Sequence, residues 1–108
     1  MDFFGENIWR KIKRRVNVYY FNKHMKVNMA EAEAMRERIV PYLESKKLKY
    51  IIKIRPEPES NWPKVVIDVQ VDIKPFSVLM KLWEEIDAVG YSEDSVGKDV
   101  YIHVNKLE

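Results

Sequence analysis

The chain contains no cysteine, no threonine, only three glycines and a single glutamine, Gln70. Without cysteine there are no disulfide staples, no thiolate zinc sites and no thiol nucleophile. The glycines at 5, 90 and 97 are isolated, so no glycine-rich loop is available to cradle phosphate. No window approaches eighteen consecutive apolar residues, and nothing in the sequence reads as a membrane span. The first sixteen residues place their charges after the apolar side chains and lack the apolar centre of a secretory leader. These absences predict an intracellular, cytoplasmic protein. Scarce thermolabile residues beside abundant Lys, Arg and Glu follow a thermophile tendency.

What is present fits one globular domain: 108 residues, 46% hydrophobic and 33% charged. The formal net charge is only +2, but it is unevenly spread. Residues 1–26 hold seven Lys/Arg (Arg10, Lys11, Lys13, Arg14, Arg15, Lys23, Lys26) against Asp2 and Glu6. The remaining twelve Lys/Arg face fifteen Asp/Glu. The pattern is a basic N-terminal arm on a weakly acidic body.

Hydrophobic spacing divides the chain into alternating elements. Glu6–Arg14, with Ile8, Trp9 and Ile12 on one stripe, predicts a short helix whose acids and cations sit at the ends its dipole favours. Val16, Val18 and Tyr20 then alternate with Asn17, Tyr19 and Phe21, which predicts a first strand over Val16–Phe21. Asn28 followed by Glu31 resembles a capping box and predicts a helix over Met29–Lys46, kinked or shortened by Pro41. Period-two alternation over Leu48–Arg55 and Val65–Ile73 predicts a second and a third strand. The proline-rich Pro56–Pro63 connects them, since prolines remove ladder donors. Pro75 opens a second helix with Phe76, Leu79, Met80, Trp83 and Ile86 as its core stripe, and Gly90 is expected as its left-handed stop. Val100–Val104 predicts a fourth strand.

The resulting order, β-α-β-β-α-β, resembles the ferredoxin-like superfold. This α+β resemblance covers about Arg15–Lys106 and implies an antiparallel sheet of order 4-1-3-2, with both helices on one face. It divides the chain into a basic amphipathic arm, residues 1–14, and a ferredoxin-like domain, residues 15–108. The superfold hosts many unrelated functions, so the resemblance is architectural.

That strand order assigns the outer sheet face to Tyr19, Phe21, Lys49, Ile51, Lys53, Arg55, Val66, Asp68, Gln70, Asp72, Tyr101 and His103. Its aromatic part loosely resembles the base-stacking face of RNA-recognition motifs through Tyr19 and Phe21. At the third-strand positions where such motifs carry basic and aromatic residues, this chain has Val66, Asp68, Gln70 and Asp72. Tyr19, Phe21, Ile51, Val66, Tyr101 and His103 therefore read as an interface, covered by a second copy or by a partner protein. Asp68 and Asp72 read as cross-strand partners of Lys49, Lys53 or Arg55. Same-face strand residues four apart are roughly 13 Å apart, too far to share one metal ion. The two histidines, His24 and His103, have no neighbouring ligand, and no metal or cofactor is expected.

The sequence thus predicts a non-enzymatic binding module. Its working function is binding DNA or RNA phosphates through Arg10, Lys11, Lys13, Arg14, Arg15, Lys23 and Lys26. The alternative is an assembly module that forms a homodimer, or binds a protein partner, through the open sheet face.

Overall fold

A computed structural model of the chain describes residues 3–57 and 63–108, with the backbone alone over residues 3–19. The element order is α1 (Phe3–Ser45), β1 (Tyr50–Pro56), β2 (Val65–Val71), α2 (Phe76–Gly90), a short 3-10 turn (Glu93–Ser95) and β3 (Val100–Lys106). It is a mixed α+β arrangement of two helices and a three-stranded sheet among the described residues.

The expected first strand is absent, because Val16–Phe21 lies inside α1. Two features of the chain favour this outcome. No glycine or proline occurs between Gly5 and Pro41, so nothing interrupts helical hydrogen bonding once it has nucleated. The helical apolar phase also continues backward from the core: Leu43, Ile39, Met35 and Ala32 are fully buried, Met25 and Met29 pack against them, and Phe21 is half-buried in the same phase. Asn28, expected to start a helix, is buried in mid-helix. Pro41 lies inside α1 one turn from its end, on an exposed position. The helix stops where Lys47 adopts a left-handed φ of 56°, with Lys47 N–H donating to the Glu44 carbonyl and Leu48 N–H to that of Leu43.

Losing one strand changes the sheet. Its order is β1-β2-β3, in place of the four-stranded 4-1-3-2 expected from the ferredoxin-like resemblance. β1 and β2 pair antiparallel with Ile52 opposite Val69. β2 and β3 pair directly and in parallel, with Ile67 opposite Ile102, closing the gap that the missing strand would have filled. α2 is the crossover that a parallel pair requires.

Both helices cover one sheet face. Val65, Ile67, Val69 and Val71 of β2 and Val100, Ile102 and Val104 of β3 point into the core. They meet Met35, Ile39 and Leu43 of α1 and Leu79, Leu82 and Ile86 of α2. Phe76 and Met80, expected in the α2 core stripe, are instead largely exposed, because the buried stripe runs Leu79, Leu82, Ile86, Gly90. Gly90 is not a left-handed stop; Gly97, at φ 78°, is the one glycine with positive φ among the described residues. Gly90 serves close approach instead. A Cβ there would stand 2.8 Å from Ile102 Cδ1 and 3.1 Å from Ile39 Cδ1.

α1 is about 64 Å long by helical rise, whereas a seven-residue strand spans about 23 Å. The molecule accordingly measures 67 × 26 × 18 Å. Roughly half of α1 outruns the sheet.

Candidate nucleic-acid interface

The basic arm, the predicted first strand and the helix predicted over Met29–Lys46 are a single helix, α1. From Asn7 to Ala30 this helix contains no Asp or Glu, and it carries all seven predicted phosphate-binding cations. Twenty-four residues correspond to about 36 Å of helix. Lys23 and Lys26 are exposed, as is His24 between them. The side chains of Arg10, Lys11, Lys13, Arg14, Arg15 and Tyr19 lie outside the described residues; their positions belong to the same helix.

The first acid after this stretch, Glu31, turns inward and is only 5% exposed. Its Oε1 accepts from Ser95 Oγ at 2.6 Å and Arg38 Nη2 at 3.0 Å, and its Oε2 meets Lys98 Nζ at 3.4 Å. Burial alone would raise this carboxyl's pKa, but bonds from Ser95, Arg38 and Lys98 outweigh it and hold the group below its ordinary value. Arg38 also donates from Nε to the Gly90 carbonyl at 2.9 Å. One turn earlier, Asn28 Nδ2 donates to the Pro63 carbonyl at 2.6 Å, and Asp99 N–H donates to Asn28 Oδ1 at 3.3 Å. The apparent capping box is therefore a tertiary clamp. Asn28 and Glu31 fasten the point where α1 leaves the body to the starts of β2 and β3 and to the turn before β3. The signal was present as two polar residues one turn apart beside an apolar stripe, but a helix start produces the same spacing.

On the outer sheet face, pairing places residues in rows: Arg55, Val66, Tyr101; then Lys53, Asp68, His103; then Ile51, Gln70, Asn105. Ile51, Val66, Tyr101 and His103 thus share a face, as predicted. Phe21 does not join them, since it lies on α1. Val66 is 1% exposed, and Ile51 and Tyr101 are the large apolar side chains left open there, each at 43%. Arg55 Nε donates to Asp68 Oδ2 at 2.6 Å, one row diagonal from direct opposition, and Arg55 Nη1 lies 3.5 Å from Glu57. Lys64 stands 4.6 Å above the Tyr101 ring. The pairs on this face are thus Arg55 with Asp68 and Glu57, and Lys64 with the Tyr101 ring.

The free edge of β3 is closed by aromatic donors. Trp83 Nε1 donates to the Ile102 carbonyl and Tyr91 Oη to the Val100 carbonyl, each at 3.0 Å. The Trp83 ring lies 5.8 Å from the His103 ring. Among the described residues no group of three or more His, Asp or Glu is arranged to hold a metal ion, and no helix is long and apolar enough to cross a membrane. Comparison with protein-family models, curated proteins and solved structures gives no match. The functional reading therefore rests on charge and geometry.

Proposed function

We propose that the chain is a non-enzymatic nucleic-acid-binding module that engages phosphates through the basic N-terminal half of α1. The observation that carries this reading is the acid-free stretch of seven cations on one helix that outruns its domain. A helix is about 10–12 Å across with its side chains, close to the roughly 12 Å width of the B-DNA major groove. Lysine and arginine on such a rod release counterions from phosphate, and this term is independent of sequence. The outer sheet face supports the alternative assembly reading less well, because its open apolar surface is limited to Ile51 and Tyr101, in different rows.

Fluorescence anisotropy with a duplex DNA and with single-stranded RNA tests the proposal. Seven neutralised phosphates correspond to a limiting slope of log K against log salt near −6 on duplex DNA. Reversing Arg10, Arg14, Lys23 and Lys26 to Glu abolishes binding on this reading, whereas Lys53→Glu on the sheet face leaves it within about twofold. A salt-independent affinity, or loss through Lys53 and not through α1, overturns it.

A further inference from the structure

We infer that the solvent side of α1 is a self-association seam, on which a second copy of the chain packs antiparallel. The helix carries a second stripe opposite its core stripe. Val27 is 44% exposed, Ala30 is exposed and Ala34 is half-exposed, and all three lie in one helical phase, turned away from Ala32, Ile39 and Leu43. Tyr20, also exposed, falls in the same phase, which continues back through positions 12 and 16 of the helix. The two alanines leave room for another helix axis at the close end of the usual 8–10 Å separation.

Charge selects the occupant and its direction. Beside this stripe the helix carries Lys23 and Lys26 before Ala30 and Glu33 and Glu37 after it, all four exposed, with Arg36 Nη1 3.8 Å from Glu33 on the flank away from the stripe. A parallel copy would set like charge against like. An antiparallel copy related by a two-fold axis near Ala30 brings Lys26 level with Glu33 of the partner subunit and Lys23 level with Glu37 of the partner subunit, twice over. Val27 then lies beside Ala34 of the partner subunit. The two sheets sit on the outer flanks of the helix pair, because each domain holds the opposite face of its own α1. The contact is self-complementary, as a closed two-fold dimer requires. The contact draws Lys23 and Lys26 from the proposed phosphate-binding set and leaves Arg10, Lys11, Lys13, Arg14 and Arg15 to it, and because the measurements that follow use no nucleic acid, either reading can fail without the other.

Sedimentation equilibrium on the full chain is the primary test, with twice the chain mass expected at low salt. Val27→Asp with Ala34→Asp halves the mass, while circular dichroism and melting report that the domain remains folded. Lys26→Glu or Glu33→Lys alone weakens the dimer at least tenfold, and the two together restore it. Because the chain has no cysteine, single introduced thiols report direction. Ala30→Cys forms an interchain disulfide on oxidation. Glu37→Cys does not, since residues seven from the axis are about 21 Å apart across an antiparallel pair. A monomeric native chain overturns the inference. So does cross-linking at both positions, which marks a parallel pair, or a dimer dispersed by Ile51→Asp with Tyr101→Asp and untouched by the α1 variants, which marks the sheet face.

Discussion

Removing the charge of Glu31 tests how α1 is fixed to the body. In Glu31→Gln the side chain still fills its site and still presents an oxygen to Ser95, but Arg38 and Lys98 lose their carboxylate. Hydrogen bonds to charged groups contribute about 1.5–3 kcal/mol each, and breaking a fully buried pair costs about 3–5 kcal/mol. Here the Arg38 and Lys98 side chains are about one-third exposed and regain water, so the lower part of that range applies. The expected loss is about 2 kcal/mol, or roughly 10 °C in Tm for a chain of this size. Glu31→Ala also removes the acceptor of the Ser95 hydroxyl, which keeps only the hydrogen bond it accepts from Ser92 N–H, and costs about 3 kcal/mol or more. Urea unfolding followed by circular dichroism measures both. The pH dependence has a definite sign. The folded state favours the Glu31 carboxylate, so its contribution is complete above the ordinary value of 4.5 and disappears as pH falls further, through the lower folded value. The gap between native chain and Glu31→Gln is therefore constant at neutral pH and closes in acid. A variant within about 0.5 kcal/mol of the native chain at pH 7, smaller than one charged hydrogen bond, refutes the clamp. So does a gap that widens on acidification.

Gly90→Ala gains helix propensity but forces its new methyl onto Ile102 Cδ1, and overpacking of about 1–3 kcal/mol outweighs a gain near 1 kcal/mol. Ile102→Val deletes the offending atom, so a double-mutant cycle by urea unfolding shows the glycine change costing less in that background. Burial, reinforced by the hydrogen bond to Glu85 and that group's charge, pushes the Tyr42 phenol up to about 12. Its contribution to stability is flat below pH 10 and lost between 10 and about 12, and Tyr42→Phe removes one phenolate step near pH 12 from an ultraviolet titration.

Three strands and α2 were legible because each obeys one constraint. β1, β2 and β3 alternate with period two against a single covered face; Val65, Ile67, Val69, Val71, Val100, Ile102 and Val104, expected inward, are buried, Tyr50, Ile52, Ile54 and Ile73 are half-buried, and Val66, expected outward, is buried as well. Phe76 and Met80 were misread because an amphipathic pattern fixes only the centre of a buried stripe. α2 turns its edge, not its centre, toward the rim of β3, where Trp83 meets the Ile102 carbonyl. Gly90 was misread for a related reason, since glycine at a helix end serves a left-handed turn or a close contact and the sequence does not distinguish them.

α1 resisted reading because two apolar stripes on opposite faces of one helix blur its amphipathic pattern. Among the described side chains Tyr20 and Val27 follow the outward phase, whereas Phe21, Met25 and Met29 follow the inward one. Where the phases exchange, the sequence VNVYYF is rich in β-branched and aromatic residues, and a local window scores such a segment as a strand. The same exchange has a structural consequence. A helix anchored to its own core by one face carries its basic positions beyond the sheet, at a distance set by the 1.5 Å rise per residue. A flexible arm of the same composition would lose conformational entropy on meeting phosphate; a helix already clamped at Asn28 and Glu31 has lost most of it on folding. Loosening that clamp therefore affects more than melting temperature. On the proposed function it also weakens nucleic-acid binding through the N-terminal half of α1, and the salt slope, which counts contacts, stays the same while the affinity falls.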